Sequence, residues 1–166
     1  MSRLLVFCLL ALLSCTKDPD QVTILPDPPQ EKLGDSGDNH RNNDTSMPTE
    51  IKLTVSGKSL AVKIEDNEAT KALVAALREA SITYEADDYG GFEKVGALGR
   101  SLPTNNSQIT TQPGDVILYS VNQIVLFYGS NSWSYTRIGR MEYGTLDELK
   151  SFLKAGQGKI TVTLSL

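Results

Sequence analysis

Residues 51–166 predict a mainly β fold, a closed β-barrel capped by two short α-helices, and three observations carry that expectation. Apolar and polar residues alternate with period two at both ends of the segment. Two near-continuous apolar runs joined by a short polar link lie at its centre, and only two stretches carry a helical period. With so few helices to cover it, a many-stranded sheet buries its apolar face by curling on itself.

The elements follow in order. Ile51, Leu53 and Val55 alternate with polar residues, 56–59 reads as a turn, and Leu60, Val62 and Ile64 alternate again, which predicts a hairpin. Asp66 or Asn67 caps a helix running to about Ala80. Ala69, Leu73, Ala76, Leu77 and Ala80 fall on its buried face, while Glu68, Lys71, Arg78 and Glu79 stay wet. Ile82 and Tyr84 begin another strand. Gly90, Gly91, Gly96 and Gly99 then predict a bent or bulged region around Phe92 and Val95, and 102–107 is a polar loop.

Pro113 and Gly114 turn the chain into the run 116–121, which Asn122 and Gln123 link to 124–128. Branched and aromatic residues on both sides predict a central hairpin buried on both faces. Past Gly129, Ser130, Asn131 and Ser132, one strand face carries Trp133, Tyr135 and Arg137 and the other Ser134 and Thr136. Thr145 with Glu148 forms a capping box for a short helix that buries Leu146, Leu149, Phe152 and Leu153 and stops at Gly156. The last strand, 159–166, places Ile160, Val162, Leu164 and Leu166 on one face.

The segment before the domain has a different character. Arg3 gives a positive start and 4–13 an apolar run of secretory length, too short to span a bilayer as a stable helix. The run closes on Leu12, Leu13, Ser14 and Cys15, which resembles the bacterial lipobox. Residues 1–14 are therefore expected to be a lipoprotein signal peptide, with Cys15 as the lipidated first residue of the mature chain. That resemblance implies a membrane partner reached through acyl chains. It also implies localisation in a bacterial cell envelope, at the outer membrane. Asp18 and Asp20 add a faint likeness to acidic surface-export signals, interrupted by Lys17.

Residues 15–50 read as a disordered tether that holds five of the seven prolines and few large apolar groups. Eight acids (Asp18, Asp20, Asp27, Glu31, Asp35, Asp38, Asp44, Glu50) face three bases (Lys17, Lys32, Arg41), whereas 51–166 has twelve of each sign. The acidity of the chain belongs to the tether. No basic cluster stands out in the domain, so nucleic acid is not an expected partner.

Cysteine and histidine usage excludes whole chemistries. The two cysteines are Cys8, within the signal, and Cys15, and the single histidine is His40, in the tether. Disulfides, thiolate or imidazole metal sites and Cys- or His-based catalysis are thus not expected of the domain, and neither a cofactor nor a metal is assigned.

Pro113, Gly114 and Asp115 ahead of the central hairpin, the run 124–129, the segment Asn131, Ser132, Trp133, and the pair Ile138, Gly139 together resemble the bacterial cyclophilin-like domain family across 51–166. The resemblance implies a small cyclophilin-type barrel and no agreed activity. True cyclophilins isomerise prolyl bonds with an arginine on the barrel face and an aromatic floor for the proline ring. This chain departs from them, having no Phe-His-Arg triplet and no Gln-Gly-Gly segment. By that resemblance Phe127 is the candidate floor, and Arg100 or Arg137 the candidate guanidinium.

The expected ligand-binding set is therefore Phe127, Trp133, Tyr135, Arg137 and Arg100, because aromatics beside arginine stack on prolines, sugars or planar ligands. A competing reading has the aromatics plugging the core and the stem of Arg137 covering Tyr135. Tyr89, Phe92 and Glu93 form either a pocket rim or a turn with a packed aromatic. Glu85 and Asp87 form either a site for a hard cation or a solvated acidic edge, and Asp87 with Asp88 is a poor acid-base pair. No catalytic residue is assigned. The expectation is a lipid-anchored, non-enzymatic binding module for a small molecule, glycan or peptide. The alternatives are a divergent prolyl isomerase and an envelope scaffold or assembly protein.

Overall fold

A computed structural model describes residues 46–166. The expected signal peptide, Cys15, His40 and the expected tether up to residue 45 lie outside the described residues.

The domain is a closed antiparallel barrel of eight strands with a ninth strand outside it. β1 (Glu50–Val55) and β2 (Lys58–Ile64) form the first hairpin, followed by α1 (Glu68–Glu79), β3 (Ile82–Tyr89) and β4 (Glu93–Ala97). β5 (Ser107–Thr110), β6 (Asp115–Tyr119), β7 (Gln123–Phe127) and β8 (Ser132–Met141) come next, then α2 (Leu146–Phe152) and β9 (Ile160–Ser165). Around the barrel the order is β2, β1, β9, β3, β4, β7, β6, β8, and pairing of β8 with β2 closes the ring. Closure brings Gly139 against the Lys63 carbonyl so tightly that a Cβ there would collide with backbone.

Local chemistry explains the elements. The first turn is two residues, Ser56 and Gly57, both with positive φ, which suits the twist of a tight hairpin. Asn67 caps α1 by accepting from Thr70 N–H, and its Nδ2 donates to the Arg137 carbonyl, so the cap also ties the helix to β8. The capping box of Thr145 and Glu148 is present at α2. α1 contributes Ala69, Leu73, Val74, Ala76 and Leu77 to the barrel core, and Leu149 and Leu153 join it from α2.

Four sequence expectations change. Leu146 and Leu166 are exposed, because Leu146 opens α2 on its outer side and Leu166 lies beyond the last pairing. Residues 93–97 form a regular strand paired with both β3 and β7, the glycine pair Gly90–Gly91 serving as the turn before it. The short β5, 107–110, stands where a polar loop was expected to end. The central turn is three residues, Ser120 to Asn122, with positive φ at Ser120 and Val121, whereas Gln123 already pairs with Tyr119 as the first residue of β7. Its strain is held by the loop that follows β4, as Leu98 N–H donates to the Asn122 carbonyl and Leu102 N–H to that of Val121.

The double burial of the central hairpin comes from two separate apolar clusters. Inward residues Val116, Leu118, Ile124 and Leu126 belong to the main core, whereas outward residues Ile117, Val125 and Phe127 form a second cluster with Tyr135, flanked by Phe92, Val95 and Ile109. The second cluster is the floor of the site.

Candidate functional site

β8 is ten residues long and has three partners. Its end pairs with β2 and its middle with β6, while its first part pairs with β5, so that Ile109 faces Trp133 and Ser107 faces Tyr135. This ribbon stands beside the outer surface of β4, β7 and β6, and a concavity of about 430 Å³ lies there.

Its apolar floor comes from Val95 of β4 and Val125 of β7, with Phe127 packed beneath and fully buried. Tyr135 and Tyr119 supply walls, their rings meeting edge-on at 5.9 Å and 73°. Tyr135 also packs edge-on to Phe127 at 5.9 Å, and Phe92 stacks on the other side of Phe127 at 6.2 Å. Trp133 is 57% exposed and Tyr89 67% exposed, so both stand as open rims. Gln123 and Asn131 complete the lining with amides. Asn131 is held by Thr111, a buried residue whose N–H and hydroxyl both donate to the Asn131 carbonyl at 2.8 and 3.0 Å, and it donates from Nδ2 to the Tyr135 hydroxyl at 3.0 Å.

Among the described residues, Glu93 is the one carboxyl in this lining. It is 5% exposed, and its Oε2 is buried without a hydrogen-bond partner. Burial pushes its carboxyl up to about 7. The neighbouring Lys94 offers no relief, because strand alternation turns it to the opposite face, into the barrel. There its ammonium is fully buried against Asp88 Oδ2 at 2.8 Å and the Gly158 carbonyl. Burial acts to raise the Asp88 carboxyl, but donors from Lys94, Gly156 N–H, Gly158 N–H and the Tyr128 hydroxyl outweigh it and hold the group at about 2. The adjacent pair Glu93 and Lys94 thus serves two environments, one outside the barrel wall and one inside.

Of the residues expected to bind, Trp133 and Tyr135 line the concavity, and Phe127 supports it from below. Arg137 does not line it. A bulge in the β6–β8 register inserts Ile138, so that Arg137 and Arg140, which would face opposite sides of a regular strand, both reach the buried Asp115. Arg140 approaches at 2.8 Å and Arg137 at 3.3 Å, and Arg137 borders a separate shallow hollow with Glu65 and Asn67. Arg100 is exposed in the loop after β4, away from both. Tyr89 and Glu93, which the sequence offered as a possible pocket rim, line the concavity, and Tyr119, Gln123, Val95, Val125 and Asn131 line it although sequence reasoning placed them in no site. The signal for Tyr119 and Gln123 was outward parity with Val125 and Val95 on neighbouring strands, which becomes readable only once the strand order is known.

The barrel is similar to the solution structure of a hypothetical protein from Archaeoglobus fulgidus, with a TM-score of 0.51 and 14% identity over 74% of this chain and 98% of that one. At that identity the likeness is one of fold. No match was found among curated proteins. Residues 53–165 match the Cyclophilin-like family along almost the whole barrel, and the chain belongs to that family.

Proposed function

We propose that the protein is a non-enzymatic binding module, held in a bacterial cell envelope by a lipid at Cys15, whose barrel presents the outer concavity to a small ligand. The observation that carries this reading is the combination of an apolar floor, Val95 and Val125, with aromatic walls and two open aromatic rims. Such sites bind by burying apolar or planar groups while a few polar atoms fix orientation. The prolyl-isomerase reading requires a guanidinium beside an aromatic floor. Phe127 is covered, Arg137 is engaged with Asp115, and Arg100 lies elsewhere, so binding is favoured over that chemistry.

The anchor part of the reading rests on the run 4–13 and the Leu-Leu-Ser-Cys sequence ending at Cys15, with 16–50 providing reach. Metabolic labelling with a fatty acid should mark the full chain and fail on Cys15→Ala. Trp133 is the chain's one tryptophan, so its fluorescence reports the rim directly. Titration with small amphipathic molecules, oligosaccharides and proline-containing peptides should give a saturable change with at least one class, weakened by Tyr119→Ala. An unresponsive Trp133 across all classes, at concentrations well above the millimolar range, would overturn the binding reading.

A further inference from the structure

Glu93 has no structural task that its neighbours reveal. Its Oε2 is buried and unpartnered, the rest of the concavity is lined by apolar and aromatic side chains and the amides of Gln123 and Asn131, and among the described residues no lysine, arginine or histidine lines it. A buried carboxylate without a partner carries a desolvation cost, which an incoming positive charge with N–H donors would remove. Tyr119 and Tyr135 meet edge-on at 73°, giving two adjoining rings of different orientation in the lining, and Trp133 offers a third at the rim. Aromatic faces around a point of negative charge favour a cation over a neutral guest of the same shape.

Resting on the binding reading above, we propose that the ligand is a small organic cation, a protonated amine on a short apolar body. Its N–H donates to Glu93, its charge lies among Tyr119, Tyr135 and Trp133, and its apolar part covers Val95 and Val125. A zwitterionic headgroup fits less well, since no basic side chain in the lining receives a phosphate. Binding is coupled to protons: below about pH 7 the amine must displace a proton from Glu93, and above it the carboxylate is already ionised. The other ionisable groups lining the concavity with Glu93 are the phenols of Tyr89, Tyr119 and Tyr135, from β3, β6 and β8, and Tyr128, just past β7, lies near Glu93 with its hydroxyl on Asp88. Burial raises the Tyr128 and Tyr135 phenols, moving them further from this range, and Asp88 with Lys94 points into the barrel, so the pH dependence is assigned to Glu93.

The probes are isoamylamine, which stays protonated throughout, the neutral isoamyl alcohol of the same shape, and glycerophosphocholine, all read by Trp133 fluorescence on the full chain at matched salt. Isoamylamine should bind at least about tenfold tighter than the alcohol, and about tenfold tighter near pH 8 than near pH 6. Glu93→Gln, which retains shape and packing, should erase both differences, and glycerophosphocholine should be the weaker cation. Equal binding of amine and alcohol, unchanged in Glu93→Gln, would overturn the cation proposal while leaving the concavity a binding site. Tighter binding of glycerophosphocholine than of isoamylamine would overturn the choice of a simple amine. Silence toward all three would overturn the proposal as well, and the wider ligand panel then decides the binding reading separately.

Discussion

Asp88 and Lys94 face each other across the β3–β4 hairpin and join at 2.8 Å on its inner side, where the lysine has no exposure at all. Breaking such a pair from one side leaves a charge buried alone. Asp88→Asn is expected to cost about 3 kcal/mol in urea unfolding, and Asp88→Asn with Lys94→Met to recover much of that loss. Because the Asp88 carboxyl is held below its ordinary 3.8, its stabilising effect is complete above that value and disappears as pH falls through about 2. The wild-type protein should lose stability across that acid window, and Asp88→Asn should lose less there.

Glu93 has the opposite sign. Its carboxyl is raised from 4.5 to about 7, so the fold favours the protonated form: stability is highest below about pH 4.5, declines as pH rises to about 7, and is level above. Glu93→Gln should therefore stabilise the empty protein at pH 8, by an amount on the order of 2 kcal/mol, with little effect at pH 4.5. Denaturant midpoints measured at both pH values check the sign.

Trp133 and Tyr135 separate binding from folding. Trp133→Ala, at an exposed rim, should shift unfolding by no more than about 0.5 kcal/mol and abolish ligand uptake measured by calorimetry. Tyr135→Ala removes a buried ring packed on Phe127 and Tyr119 and should cost about 3 kcal/mol.

Asp115 is shared between two arginines, which makes their removal non-additive. Arg137→Ala and Arg140→Ala should each cost about 1 kcal/mol, and the double variant more than their sum, since the last cation near a fully buried carboxylate is then gone. Neither single variant should alter ligand binding at the concavity, as neither side chain lines it.

Tyr84 buries its hydroxyl without a partner, and burial alone raises its phenol well above the ordinary 10. Tyr84→Phe removes an unsatisfied group and should leave stability unchanged or raise it by up to about 1 kcal/mol, as read by thermal unfolding.

The barrel was legible in the sequence because inward rows alternate so regularly: Ile51, Leu53 and Val55, then Ile160, Val162 and Leu164, each settle a strand without knowledge of its partner. Both helices were legible from their caps, Asn67 and Thr145. The site was legible in part. Trp133 and Tyr135 stood out by residue type, but their companions come from β3, β4, β6 and β7, and the order of those strands is a long-range property. Arg137 lies outside the lining of the concavity for a definable reason. Period two places it on the face of Tyr135, and it stays there opposite Ile117, but Asp115 of β6 engages it, and that contact across strands leaves no mark in the local pattern.

The alternation of β4, β7 and β6 divides hereditary risk within single strands. Lys94, Gly96, Ile124, Leu126 and Leu118 face the interior and answer for the barrel, whereas Glu93, Val95, Gln123, Val125 and Tyr119 face the concavity. A lineage can exchange the second row one residue at a time and keep the first. Descendants of one barrel would then hold the same architecture while parting in ligand, so kinship in this fold is a poor guide to what each member carries.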